Sequence, residues 1–391
     1  MKRKICIITG SRAEYGLLKP LITELKKDDR VKLQLIATGM HLSPEFGLTY
    51  KEIEKDKFKI NERIEVLLSS DTPIGISKAM GLGIISFAEA LQRLRPDIIV
   101  VLGDRYEIFA AVSAALIARI PVAHIHGGEL TEGAFDDSLR HAITKMSHLH
   151  FTSTNEYRKR VIQMGENPRN VFNVGALGID NIKKIKFLSK AELEKQLNFK
   201  FDKPTFLVTY HPVTLENNTS EKQFGELLKA LDHFKNFKII FTKPNADTNG
   251  RIIVKMIEGY VKKNKERCIS FTSMGQVKYL STLKYVKMMI GNSSSGIIEM
   301  PSFQKPTINI GERQKGRIFS KLVVQSNPDE RSITKAIEKG LNENLRKKNE
   351  DNLNPYDGGN TSMKIKNILL RKFSESVKKN FYDLNYKNFR N

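Results

Sequence analysis

Asp97-Ile98-Ile99-Val100-Val101-Leu102-Gly103-Asp104-Arg105 is the stretch on which the fold turns. Ile98 to Val101 are four β-branched residues in succession, apolar on both faces, as expected of a strand covered by helices on each side of a parallel sheet. Gly103 then marks the turn. Working outward, similar short runs recur every 30 residues or so. In the first half they lie at 4–9, 32–38, 121–126 and 148–153. Between them, 16–26 and 106–118 carry leucine and alanine at helical spacing. A second series at 205–210, 237–241, 286–290 and 306–310 follows a lysine-rich connection at 173–190, where Gly175 and Gly178 interrupt the chain. The expectation is an α/β protein with two Rossmann-like, doubly wound domains facing a cleft, its ligands held by loops that follow strands. Domain bounds are set at 1–175 and 176–360, with 361–391 a helix and polar tail packing back on the first domain.

The 391 residues are 40% hydrophobic and 28% charged, enough for two cores. Cys6 and Cys268 are too few for a disulfide framework and have no paired spacing with histidine, which excludes a stapled secreted scaffold and a structural zinc module. The longest apolar stretches fall well short of the ~20 residues of a membrane helix, so a cytoplasmic protein without a membrane partner is expected. A net charge of +22 invites a nucleic-acid reading. Its 45 lysines outnumber 20 arginines, however, and alternate with acids, as in Lys26-Lys27-Asp28-Asp29 and Lys51-Glu52-Ile53-Glu54-Lys55. That is the pattern of a solvated surface, and no nucleic-acid partner is expected.

Three loops carry chemistry. Gly10-Ser11-Arg12-Ala13-Glu14-Tyr15-Gly16 follows the first strand and opens a helix, so its amides and Arg12 are suited to an anionic group. It lacks the dinucleotide glycine spacing, and no nicotinamide or flavin cofactor is expected. Gly291-Asn292-Ser293-Ser294-Ser295-Gly296-Ile297-Ile298-Glu299 offers small residues, hydroxyls and a helix start to a phosphate, with Glu299 about one turn on, where a carboxylate can accept both hydroxyls of a ribose. A plain N-cap serine cluster is the bland alternative. The third is acidic: Asp104 after one strand, then His126-Gly127-Gly128-Glu129, then Asp136-Asp137, with each of Asp104, Glu129 and Asp136 expected to follow a separate strand. Converging carboxylates suit general acid or base work on a sugar, or a divalent metal, and Asp104 beside Arg105 is alternatively a local ion pair. His211-Pro212 places an imidazole on the second domain's side of the cleft.

Together with Thr38-Gly39-Met40-His41, Asp137-Ser138-Leu139-Arg140-His141-Ala142-Ile143-Thr144-Lys145 and Arg313-Gln314-Lys315-Gly316-Arg317, these loops resemble the hydrolysing nucleotide-sugar 2-epimerases, which make N-acetylmannosamine from UDP-N-acetylglucosamine for sialic acid synthesis. The resemblance runs from Gly10 to about Arg317. It implies a glycosyltransferase-B-like architecture and a reaction without metal or cofactor. The nucleoside diphosphate leaves C1 as the C2 proton is removed, and water then adds to the 2-acetamidoglucal. It further implies phosphate ligation by Ser293, Ser294 and Arg313, ribose binding by Glu299, and Asn245 lining the nucleotide pocket. Arg12 and His211 would stabilise the leaving diphosphate. Asp104, Glu129 and Asp136 become the acid and base candidates, with Arg105 beside them and Asp137 as the alternative to Asp136. UDP-N-acetylglucosamine comes first as substrate, and UDP- or GDP-N,N'-diacetylbacillosamine second. A glycosyltransferase of the same shape is the distant alternative, and a homodimer or homotetramer is expected.

Overall fold

The structure, a computed structural model, describes residues 2–68, 70, 72–132, 135–213, 219–244, 250–342, 354–372 and 377–384. The first half supplies β1 (Arg3–Thr9), β2 (Val31–Thr38), β3 (Glu62–Ile64), β4 (Ile98–Leu102), β5 (Val122–Ile125), β6 (Leu149–Thr152) and β7 (Val171–Asn173). They form one parallel sheet in the order β3-β2-β1-β4-β5-β6-β7. The second half supplies β8 (Thr205–Thr209), β9 (Lys238–Thr242), β10 (Cys268–Phe271), β11 (Met288–Gly291), β12 (Thr307–Ile310) and β13 (Val323–Ser326). These form a second parallel sheet, β10-β9-β8-β11-β12-β13. Every strand expected from an apolar run is present. Unforeseen were β3, β7, β10 and β13, and all four are sheet edges. An edge strand needs no two-faced apolar run, and Glu62-Arg63-Ile64 has none.

Alternation along β1 shows the layering. Ile5 and Ile7 pack with Leu18, Leu21, Ile22 and Leu25 of the helix Arg12–Lys26. Cys6 and Ile8 point to the other face and meet Phe87, Ala90 and Leu91 of the helix Pro73–Leu94. Fully burying each large aliphatic side chain contributes about 1.5–3 kcal/mol, so both faces hold the sheet between helices. The helix Thr361–Arg371 returns to the first domain, with Ile365 and Leu369 in that same core and Asp180 accepting from the amides of Thr361 and Ser362 at 2.8 and 2.7 Å. We keep the division at 175/176 as a proposal; it falls between β7 and the helix Leu177–Lys184, whose Leu177 joins the first core.

One sequence expectation needs correction. The helix Pro73–Leu94 has 22 residues and is, by length and composition alone, apolar enough to cross a membrane. Lys78, Glu89 and Arg93 break its apolar run in sequence, which is why the run looked short. One face is buried on the sheet, while Ile74 (70% exposed), Leu82 and Ile85 (63%) face outward together with Ile117 (83%) of the helix Tyr106–Ile117.

Candidate functional site

In each sheet the chain leaves in opposite directions from two neighbouring strands, β1 and β4 in the first and β8 and β11 in the second, so the loops at their carboxyl ends diverge and open a crevice. The two crevices share one cleft of about 330 Å³. Arg12, Asp104, Arg105, Glu129, Asp136, His211, Ser293, Ser294, Glu299 and Arg313 all line it. Asn245 lies outside the described residues.

The first domain contributes the carboxylates. Asp104 is not a local partner of Arg105: it accepts from Arg140 Nη2 on the helix Asp136–Met146, whereas Arg105 forks onto Glu107, Nε to Oε2 at 3.2 Å and Nη2 to Oε1 at 3.1 Å. The two side chains leave the positive-φ turn at Gly103 (φ 80°) toward different partners. Nor does Asp136 follow a strand of its own. Glu129 and Asp136 both belong to the connection after β5, and Asp136 arrives on the first turn of the helix that ends it. Of the pair, Asp136 lines the cleft; Asp137 accepts the Thr131 amide at 2.6 Å and sits 3.3 Å from His141 Nε2, where it braces the loop. Glu129, 2% exposed, accepts from Ser153 Oγ at 2.6 Å and from Arg317 Nη1 at 2.6 Å across the cleft. Burial alone would raise its carboxyl, but Arg317, His126 and Arg140 hold it down at about 2.

The second domain contributes small polar groups. Asn292 clamps two loops, its Oδ1 accepting from His211 N at 2.7 Å and its Nδ2 donating to His211 O at 2.8 Å. Only glycine fits just before it: at Gly291 (φ 135°) a Cβ would come within 1.9 Å of Thr209 O. The helix that follows is only Ser295–Ile298, so a phosphate here would rest on the serine hydroxyls, loop amides and Arg313 rather than on a long helix dipole. Arg313 Nη1 donates to Asn292 O at 3.2 Å. Glu299 accepts from Ser295 Oγ, which accepts from Tyr279 at 2.6 Å; burial raises the Glu299 pKa while Ser295 and Arg12 oppose the rise. Among the described residues no carboxylate lies within ion-pairing distance of Arg12, and its burial lowers its pKa against the pull of Glu52, Tyr279 and Glu299. A cation left this way in a cleft favours an anionic ligand.

Four lining residues were not singled out as candidates from the sequence. Arg140 and Arg317 hold Asp104 and Glu129. His126 has a strained backbone (φ 67°), sits 3.4 Å from Glu129 Oε1, and its Nε2 has no hydrogen-bond partner among the described residues. Glu14 is pushed up to about 7 by burial, with Arg105 opposing the rise and Glu107 adding to it. All four fall inside the quoted motifs; what was missing was their pairing. By contrast His124, whose ring contacts Gly103 O at 2.8 Å and Thr144 Oγ1 at 3.1 Å, is driven to about 3 by burial and serves as a neutral strut. Among the described residues no group of three His, Cys, Asp or Glu side chains is arranged to hold a cation.

This architecture matches the crystal structure of Neisseria meningitidis UDP-GlcNAc 2-epimerase bound to UDP-GlcNAc, with TM-score 0.79 and 18% identity over 94% of this chain and 100% of that one. Two facing Rossmann-like domains around a polar cleft make this a protein of the glycosyltransferase-B-like class. The chain belongs to the UDP-N-acetylglucosamine 2-epimerase family, whose model matches residues 23–370. It is 51% identical over 325 residues, 83% of this chain and 84% of the relative, to the hydrolysing GDP/UDP-N,N'-diacetylbacillosamine 2-epimerase of Campylobacter jejuni. It is 37% identical over 369 residues, 94% and 96% of the two chains, to the hydrolysing UDP-N,N'-diacetylbacillosamine 2-epimerase of Legionella pneumophila.

Proposed function

We propose that this enzyme is a hydrolysing 2-epimerase of nucleotide-activated N,N'-diacetylbacillosamine, releasing 2,4-diacetamido-2,4,6-trideoxymannose and the nucleoside diphosphate. The 51% identity to the Campylobacter enzyme carries the choice of sugar and reverses the order of substrates drawn from the motifs alone. UDP-N-acetylglucosamine becomes the second reading.

In the proposed reaction a carboxylate removes the C2 proton, the C2–H electrons form the C1–C2 double bond, and the C1–O bond breaks toward the diphosphate. Water oxygen then bonds to C1, and a proton returns to C2 on the opposite face. Asp104 and Asp136 are the proposed proton-transfer groups, because both line the cleft at half-buried positions, whereas Glu129 is buried and already accepts from Ser153 and Arg317. Glu129 then serves as an electrostatic anchor. Arg12 and His211 meet the charge that develops on the leaving group, and Ser293, Ser294 and Arg313 hold its phosphates.

The experiment is incubation with UDP-N-acetylglucosamine and with UDP- and GDP-N,N'-diacetylbacillosamine, without added metal or NAD, and identification of the released sugar by NMR. Release of the diacetamido sugar is expected. Release of N-acetylmannosamine alone would reverse the substrate order, and activity lost to a chelator and restored by a divalent ion would refute the metal-free reaction.

Glu299→Gln replaces a charged acceptor with an amide that can accept through one atom only. Charge-assisted hydrogen bonds are worth roughly 1.5–3 kcal/mol, so nucleoside diphosphate affinity should fall about tenfold or more with the fold intact. Unchanged affinity in calorimetry would remove Glu299 as the ribose ligand. The outward apolar face of Ile74, Leu82, Ile85 and Ile117 fits the expected homodimer or homotetramer, because the helix Pro73–Leu94 is held against the sheet by its other face.

A further inference from the structure

The segment 377–384 has no regular secondary structure, yet it is anchored along its length to the first domain. Val377 O lies 3.1 Å from His148 Nε2, and Tyr382 N donates to Gly165 O at 2.9 Å. The Phe381 ring occupies the space over Gly165, where a Cβ would come within 2.3 Å of it. Lys379 makes the central contacts: Nζ donates to the carbonyl oxygens of Lys145 and Ser147 at 2.7 and 2.5 Å and sits 2.8 Å from Glu166 Oε2. Those carbonyls end the helix Asp136–Met146, where an ammonium satisfies acceptors with no partner inside the helix and meets the negative end of its dipole. Glu166, 2% exposed, also receives Lys145 at 2.6 Å and His150 of β6 at 2.9 Å.

The opposite ends of these two elements reach the cleft. An 11-residue helix is a short rigid rod, so a tilt at its anchored end displaces its first turn, which carries Asp136; Arg140 on the same helix holds Asp104. Strand β6, tied to the same hub through His150, runs into Ser153, which donates to Glu129. The loops of Ser293, Ser294, Glu299 and Arg313 belong to the other domain, Arg12 opens the helix after β1, and none of the segment's contacts named above reaches either.

We propose that Lys379 is a positioning residue: by capping the helix Asp136–Met146 and binding it to Glu166, the segment 377–384 braces the three cleft carboxylates in their reactive arrangement without touching nucleotide binding. This rests on the epimerase reading.

The test uses the full chain with Lys379→Met, Lys379→Arg and Phe381→Ala; Phe381 is 66% exposed, so its loss leaves the core whole. Because misplacing reacting groups by even 1 Å can cost about a hundredfold, a loosened brace should lower kcat roughly tenfold in Lys379→Met and to a smaller degree in Phe381→Ala. Lys379→Arg should recover most of the rate. UDP affinity by calorimetry should not change, and the C2-deuterium isotope effect on kcat should grow in Lys379→Met as proton removal becomes limiting. A loss of UDP affinity in step with kcat, or a normal kcat in Lys379→Met, overturns the proposal. Should Lys379→Met fail to fold, Phe381→Ala decides, and a normal kcat there overturns it. A wild-type chain inert toward every nucleotide sugar defeats the epimerase reading and the brace together, whereas an active wild type with unaffected variants defeats the brace alone.

Discussion

Asp136→Asn is expected to slow release of the free sugar by roughly 10²- to 10⁴-fold, the usual effect of removing a general acid or base, with nucleoside diphosphate affinity unchanged. The amide keeps the shape of the side chain, and Asp136 lines the cleft from a half-buried position on the first turn of its helix, so the fold should be kept. Asp104→Asn differs in one measurable way. It weakens the partner of Arg140, which is 3% exposed, so it should lose thermal stability as well as rate. Turnover, UDP calorimetry and melting curves on the two variants separate the effects. Near-normal turnover in both would reject the proposed chemistry even though the fold stands.

Arg317→Met should be the most destabilising single change in the cleft, at about 3–5 kcal/mol near neutral pH, because it leaves the buried Glu129 carboxylate without its main partner. The sign with pH follows from the carboxyl itself. In the wild type it is held at about 2 against an ordinary 4.5, so its ionisation favours the folded state above pH 4.5, a contribution lost as pH falls through 2. Without Arg317 the largest charge opposing burial is gone and the carboxyl rises from that value, with His126, Arg140 and Ser153 still holding it down in part, so the deficit is largest near neutral pH and shrinks on acidification. Adding Glu129→Gln removes the stranded charge and should restore part of the loss. Urea titrations at pH 4 and 7.5 test this; a deficit independent of pH would mean that Arg317 acts through packing.

Much of the fold was legible because burial on two faces leaves a local mark. Ile98 to Val101 cannot sit at a surface, and nine such runs announced nine strands. The four edge strands left no such mark, since one open edge and a short length relax the demand for apolar residues. The site was legible in its parts. Glycine turns, a serine cluster and carboxylates following strands point to a cleft wherever they fall, and the longer motifs pointed to the family.

Partnership was not legible. Arg140 lies 36 residues from Asp104, and Arg317 lies 188 residues from Glu129 in the other domain. Such pairs depend on which loops two separate sheets bring together, and local periodicity is blind to that. The same holds for Asp136 over Asp137, which differ by about 100° around one helix and so face different surroundings. The sequence by itself determined a doubly wound α/β chain, the loops that hold its chemistry and the family those loops resemble, because each depends on residues near one another in the chain. Only the tertiary structure decided which carboxylate each arginine holds, which aspartate enters the cleft, and that residues 377–384 return to brace the helix behind it, because those contacts form only once distant segments have packed.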